Sequence, residues 1–116
     1  MLLSNKTSIV TGCNKGIGKS ILEEFSKNGA NIFACTRVLN KEFHSLTSEI
    51  EKKYNNKIIP IEIDLTDEES VKEGAKKILS YDVKIDILIN NAASIFSSVF
   101  QMTSIKKYKE LFNINF

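Results

Sequence analysis

Three glycines, Gly12, Gly16 and Gly18, fall within the run Thr11-Gly12-Cys13-Asn14-Lys15-Gly16-Ile17-Gly18. Glycines so placed let a turn take positive φ and let its backbone approach a ligand closely. Apolar residues at helical spacing begin at Ile17, so a helix opens directly on this loop. Its first N–H groups lack intrahelical partners and carry the positive end of the helix dipole. The chemistry on offer is anion binding, of the kind a pyrophosphate needs. The competing account is a tight turn with no ligand, and three glycines alone do not separate the two.

The elements around the loop add weight to the first account. Lys6 to Thr11 reads as a short β run, and Ile17, Ile21, Leu22 and Phe25 would lie on one helical face, with Gly29 as the stop. Asn31 to Thr36 is a second apolar run. Residues 40 to 54 read as a helix with Phe43, Leu46 and Ile50 at core spacing, and Ile58 to Ile63 alternates as a third strand. Thr66-Asp67-Glu68-Glu69 has the form of a capping box, with Thr66 and Glu69 each satisfying a backbone donor. The helix it opens would turn Val71, Ala75, Ile78 and Leu79 inward, with Glu68/Lys72 and Glu73/Lys77 pairs outside. Ile85 to Asn90 reads as a fourth strand, and Ser104 to Phe116 as a last helix. Such alternation predicts an α/β fold, a doubly wound parallel sheet with helices on both faces. The first and fourth strands, as continuous apolar runs, should be fully buried. Pro60 cannot donate to a ladder, so its strand belongs at an edge, which the strand order 3-2-1-4 provides. In that order the glycine loop lies where the strand sequence reverses, the usual ligand crevice of such sheets.

Four motifs now resemble one family. Thr-Gly-x-x-x-Gly-Ile-Gly at residues 11–18 is similar to the cofactor signature of the short-chain dehydrogenase/reductase family. Asn90-Asn91-Ala92-Ala93 resembles its Asn-Asn-Ala-Gly, with Ala93 in place of the glycine. Asp64-Leu65 resembles its adenine-contacting pair, and Asn113-Ile114-Asn115 its segment with a catalytic asparagine. The motifs occur in the family's order across nearly the whole chain. The resemblance implies a Rossmann fold and a nicotinamide cofactor held by Gly12, Cys13, Asn14, Lys15, Gly16, Ile17 and Gly18. It implies that Asp64 accepts from the adenine amino group while the Leu65 backbone reads the ring edge. It implies too that Asn91 and Ala92 line the cofactor and that Asn90 fastens strands. For Asp64 an ordinary polar strand end, and for Asn115 a helix asparagine bonded to its own backbone, remain open as alternatives.

An NAD site usually carries Asp or Glu about 20 residues beyond the glycine loop. Here that position is Thr36, followed by Arg37, with Lys15 in the loop. An absent acid and two cations favour the 2′-phosphate of NADP(H) over NAD(H), with Arg37 able to grip it bidentately. Two solvated surface cations are the alternative.

Hydride transfer to a carbonyl also needs a proton donor. The resemblance implies a tyrosine with a lysine four residues later, and a serine. The tyrosines here are Tyr54, Tyr81 and Tyr108, followed four residues on by Ile58, Ile85 and Phe112. Of the family's catalytic set only Asn115 is present, with the implied role of holding a water in the proton relay. The expectation is therefore the N-terminal half of an NADP(H)-dependent carbonyl reductase, similar to 3-oxoacyl-(acyl-carrier-protein) reductases. Its substrate would be a small or acyl-carrier-bound carbonyl. A non-catalytic nucleotide-binding module or an inactive fragment is the alternative. On this reading residues 1–116 are an incomplete single domain, the fourth strand is left as an unpaired edge, and the family's homo-oligomers would form through later helices.

Composition sets the outer limits. The chain has 116 residues, 42% hydrophobic and 26% charged, a globular balance that could bury roughly two-thirds of its unfolded surface. A net charge of +2 with interspersed signs argues against a nucleic-acid partner. No run is long enough for a signal peptide or membrane span, so a cytoplasmic protein is expected. Cys13 and Cys35 offer neither a disulfide framework nor zinc spacing and read as small packing residues at the ends of adjacent strands, where the two could approach. His44, the one histidine, reads as exposed and no metal site is expected. The apolar stretch Phe96 to Phe100 could face substrate, core or a subunit contact.

Overall fold

The computed structural model of the chain describes residues 1–13 and 16–89. Four strands form one parallel sheet: β1 (Thr7–Val10), β2 (Asn31–Thr36), β3 (Ile58–Glu62) and β4 (Ile87–Ile89), in the order β3-β2-β1-β4. Three crossover helices connect them: α1 (Gly16–Lys27), α2 (Lys41–Tyr54) and α3 (Glu68–Leu79). The expected doubly wound arrangement is what forms. Pro60 lies in β3, at the edge, opposite Ala34 of β2. No described strand lies on the outer side of β3, where the missing N–H would have been needed.

Period-two alternation divides the core between the faces of the sheet. Ile9, Phe33, Cys35, Ile61 and Ile63 pack with Val71, Ala75 and Ile78 of α3. Val10, Cys13, Ile32, Ala34 and Ile58 pack with Leu22, Phe43 and Ile50 of α1 and α2. Cys13 and Cys35 are both free and buried, and they belong to opposite layers.

Three expectations need correction. Ile17 does not face the core: it is 71% exposed, while Gly18, Leu22 and Ser26 are the buried residues of α1. A glycine and a serine at four-residue spacing from Leu22 let the helix lie close to the sheet, which rotates Ile17 outward and leaves Ile21 and Phe25 half-buried. Thr66 does not cap α3. Asp67 is the N-cap, its carboxylate accepting from the Glu69 N–H at 3.1 Å, so the helix starts one residue later. A carboxylate beside the positive helix end is the stronger cap. β4 is half-buried rather than fully buried, because it is three residues long and, among the described residues, has a neighbour on one side only.

Other features follow the expected local rules. Asn40 caps α2 by accepting from Phe43, and Asn55 ends it in the left-handed region. Gly29, at φ +91°, closes α1. The Glu68–Lys72 pair forms across one turn of α3 at 3.6 Å. Asp86 clasps the start of the sheet: its N–H donates to the Thr7 carbonyl, and its carboxylate accepts from the Thr7 N–H at 2.9 Å. The residues from Asn90 onward, including the proposed last helix and the stretch Phe96 to Phe100, lie outside the described residues.

Burial pushes the Cys13 thiol up to about 12, against a smaller opposing effect of the Cys35 backbone, and raises Cys35 for the same first reason. Thiolate is the reactive form. Neither cysteine should therefore be alkylated by iodoacetamide in native protein at pH 8, and both should react once urea unfolds it. Mass spectrometry showing prompt native labelling would contradict the packing. At Gly74, a Cβ would overlap the Ile63 side chain, which is itself buried. Alanine gains about 1 kcal/mol in helix propensity, but overpacking costs about 1–3 kcal/mol. Gly74→Ala should destabilise the fold by about 1 kcal/mol net, read as a lower urea midpoint.

Candidate functional site

A parallel sheet brings the C-terminal ends of all its strands to one rim, and the loops leaving that rim make the site. β1 passes into the glycine turn through two anchors. The Thr11 N–H donates to the Ile89 carbonyl at 3.1 Å, and the Cys13 N–H donates to the Cys35 carbonyl at 3.0 Å. The Cys13 thiol donates back to the Val10 carbonyl at 3.1 Å. The turn is thus tied to β4 on one side and β2 on the other. Gly12 sits at φ +66° and Gly16 at φ +62°, conformations that L side chains rarely adopt. Space is open where a Cβ of Gly16 would stand.

Gly16 also begins α1, whose first turn carries no acidic residue. Backbone N–H groups at this end, a positive dipole and unfilled space above Gly16 fit a pyrophosphate. Gly18 is buried, and its lack of a side chain lets the start of α1 pack closely. Ile17 is exposed beside Gly16. Asn14 and Lys15 lie outside the described residues, as do Asn91, Ala92 and Asn115.

The second part of the site lies past β2 and β3. Thr36 is buried, and its hydroxyl donates to the Val38 carbonyl at 3.4 Å. Arg37 follows, with its side chain 77% exposed. The ladder continues one step further, with Ile63 N–H donating to the Thr36 carbonyl at 2.8 Å. That register sets Asp64 beside Arg37: Nε stands 3.8 Å from Oδ2. The other oxygen, Oδ1, accepts from the Thr66 hydroxyl at 2.6 Å and the Thr66 N–H at 3.0 Å. The Asp64 N–H in turn donates to the Ser70 hydroxyl at 2.9 Å.

These contacts hold the Asp64 carboxyl below its ordinary range. The Thr66 hydroxyl contributes most, the Thr66 N–H next, and the charge of Arg37 less. The Leu65 side chain packs against the α3 layer, so it is the Leu65 backbone that stays at the rim. The structure therefore brings Gly12, Cys13, Gly16, Ile17, Arg37, Asp64 and Leu65 to one edge of the sheet. Sequence reasoning missed Thr66 and Ser70 as supports for Asp64. The Asp-x-Thr spacing was the available signal, since aspartate readily accepts from a residue two positions on.

Among the described residues no helix is long and apolar enough to cross a membrane. Nor do the described residues contain a cluster of three or more potential metal ligands.

Residues 6–116 match the family model described as short chain dehydrogenase. The 3-oxoacyl-(acyl-carrier-protein) reductase FabG of Aquifex aeolicus is 31% identical over 113 residues, covering 97% of this chain and 45% of that protein. Mouse retinol dehydrogenase 12 is 37% identical over 92 residues, covering 78% of this chain and 28% of its own length. Among solved structures, the L-sorbose reductase of Gluconobacter frateurii, complexed with NADPH and L-sorbose, superposes with a TM-score of 0.71 at 29% identity. That match covers 79% of this chain and 35% of the reductase. The chain thus spans less than half the length of these relatives. The glycine turn, the strand order and the family match over nearly all of the sequence agree: the chain belongs to the short-chain dehydrogenase family.

Proposed function

We propose that this chain holds NADP(H) in preference to NAD(H) and forms the cofactor-binding part of an oxidoreductase acting on a carbonyl or alcohol. One observation carries the cofactor preference. At the end of β2 the position where NAD sites carry an acid is the buried Thr36, and the next residue is the exposed Arg37. A guanidinium there offers a 2′-phosphate paired donors. The nicotinamide cofactor would supply the hydride chemistry. Gly12, Cys13, Gly16 and Ile17 would hold its pyrophosphate side, and Asp64 and the Leu65 backbone its adenine. Lys15, Asn14, Asn91 and Ala92 are proposed to complete that contact from outside the described residues.

The substrate class is a small or acyl-carrier-bound carbonyl. Similarity to a 3-oxoacyl-(acyl-carrier-protein) reductase and to a solved L-sorbose reductase supports it. Asn115 is the one residue of the chain assigned to the proton relay, and homo-oligomers and a cytoplasmic location are proposed with it. A second reading, a nucleotide-binding module without catalysis, draws on one observation: no tyrosine of the 116 residues has a lysine four positions on.

Calorimetric titration tests the cofactor preference. Arg37→Asp removes charge-assisted hydrogen bonds of about 1.5–3 kcal/mol, so NADPH affinity should fall by about ten- to a hundredfold. NADH affinity should hold or rise. An unchanged ratio between the two cofactors would overturn the assignment of Arg37. A second measurement tests where the proton donor lies. The 116-residue chain should bind NADPH yet show no carbonyl-dependent NADPH oxidation; measurable turnover by the purified chain would refute the claim that the proton donor is not in these residues.

A further inference from the structure

We propose that Thr66 is a positioning residue for 2′-phosphate selectivity, acting through Asp64 on Arg37. The inference rests on the nucleotide-site reading above and deepens it. Its starting point is the unexpected use of Thr66. Asp67 caps α3, so the Thr66 hydroxyl and N–H are both available to Asp64. Both donate to the same oxygen, Oδ1, at 2.6 and 3.0 Å. Two donors on one oxygen fix the rotation of the carboxylate and leave Oδ2 directed at Arg37 Nε, 3.8 Å away. The backbone of Asp64 is fixed as well, by the Ser70 hydroxyl.

The consequence lies in how a guanidinium is built. Nε is the stem side of the fork, and the two Nη groups form its outer side. A carboxylate that approaches Nε leaves the Nη groups as the outward pair, which is the pair that grips a phosphate bidentately. Arg37 is too exposed for its ion pair with Asp64 to add much stability. What the pair supplies is orientation. A free, exposed arginine has many rotamers to lose on binding, and restricting them beforehand strengthens the phosphate contact. The hydroxyl of Thr66 is also the largest influence holding the Asp64 carboxyl ionised.

The test uses 2′,5′-ADP and 5′-AMP as probes, two nucleotides that differ in the 2′-phosphate. Their dissociation constants are measured with the full chain carrying Thr66→Val or Thr66→Ser, alongside an NMR titration of the Asp64 carboxyl without nucleotide. Thr66 is exposed, so neither exchange disturbs the core. With Thr66→Val the Asp64 pKa should rise, and selectivity for 2′,5′-ADP over 5′-AMP should fall about three- to tenfold, the worth of one hydrogen bond. Thr66→Ser, which keeps the hydroxyl, should restore both. An unmoved Asp64 pKa in the valine variant overturns the proposal at its first link. A raised pKa with unchanged selectivity, or failure of serine to restore it, overturns the link to Arg37 while the nucleotide reading stands. Failure of the wild-type chain to bind either probe removes the nucleotide reading itself, and the proposal with it.

Discussion

The hydrogen bond from the Cys13 N–H to the Cys35 carbonyl, 3.0 Å long, is the contact on which the rest of the site depends. It extends the pairing of β1 with β2 past the last residue of β1, into the glycine turn. Without it the turn would be an ordinary loop with its own freedom. With it, the N-terminus of α1 is fixed relative to the end of β2, and so relative to Arg37. Positive φ at Gly12 is the means: the chain must reverse within a residue of leaving the strand, a geometry an L side chain resists. The small buried thiol of Cys13 then fills the space beneath the turn and bonds to Val10. Each choice of residue here serves backbone placement.

A second group of residues works by charge. Arg37 and Asp64 come from loops after neighbouring strands, and parallel pairing of β2 with β3 makes them meet. Exposed ion pairs add little to stability because water screens them and side-chain entropy opposes them. Their value lies in setting direction. The carboxylate is depressed below its ordinary range chiefly by neutral donors on Thr66, with the arginine charge a lesser cause. Asp64 therefore stays ionised at neutral pH even if Arg37 turns toward another anion. Linkage has a definite sign. A lowered carboxylate contributes stability above its unfolded pKa and loses it as pH falls through the folded value.

How much of this was legible in the sequence depends on the kind of signal. Strand order could be read because one residue, Pro60, is compatible only with an edge and because the hydrophobic period changes at every crossover. The glycine turn could be read because glycine spacing reports directly on backbone conformation. The orientation of α1 could not. Ile17 has the right spacing for the core, but the helix approaches through Gly18 and Ser26, and small residues give no hydrophobic signal. The capping of α3 was ambiguous for a related reason. Thr66 and Asp67 are both good N-caps, and only the competing demand of Asp64 for Thr66 decides between them. Tertiary partners resolved what local propensity left degenerate.

The same dependence on partners links the site to the edge of the sheet. The other anchor of the glycine turn is the Ile89 carbonyl, which accepts from the Thr11 N–H and from its hydroxyl at 3.5 Å. Ile89 is the last residue of β4, a three-residue strand paired on one side only among the described residues. A strand held by one neighbour opens more readily than one held by two. The turn thus has one firm anchor, in the buried β2, and one softer anchor, in β4. Any movement of Ile89 is passed through Thr11 to the turn itself. The position of the turn is on that account set by the strands on both sides of β1, although its own residues follow that strand alone.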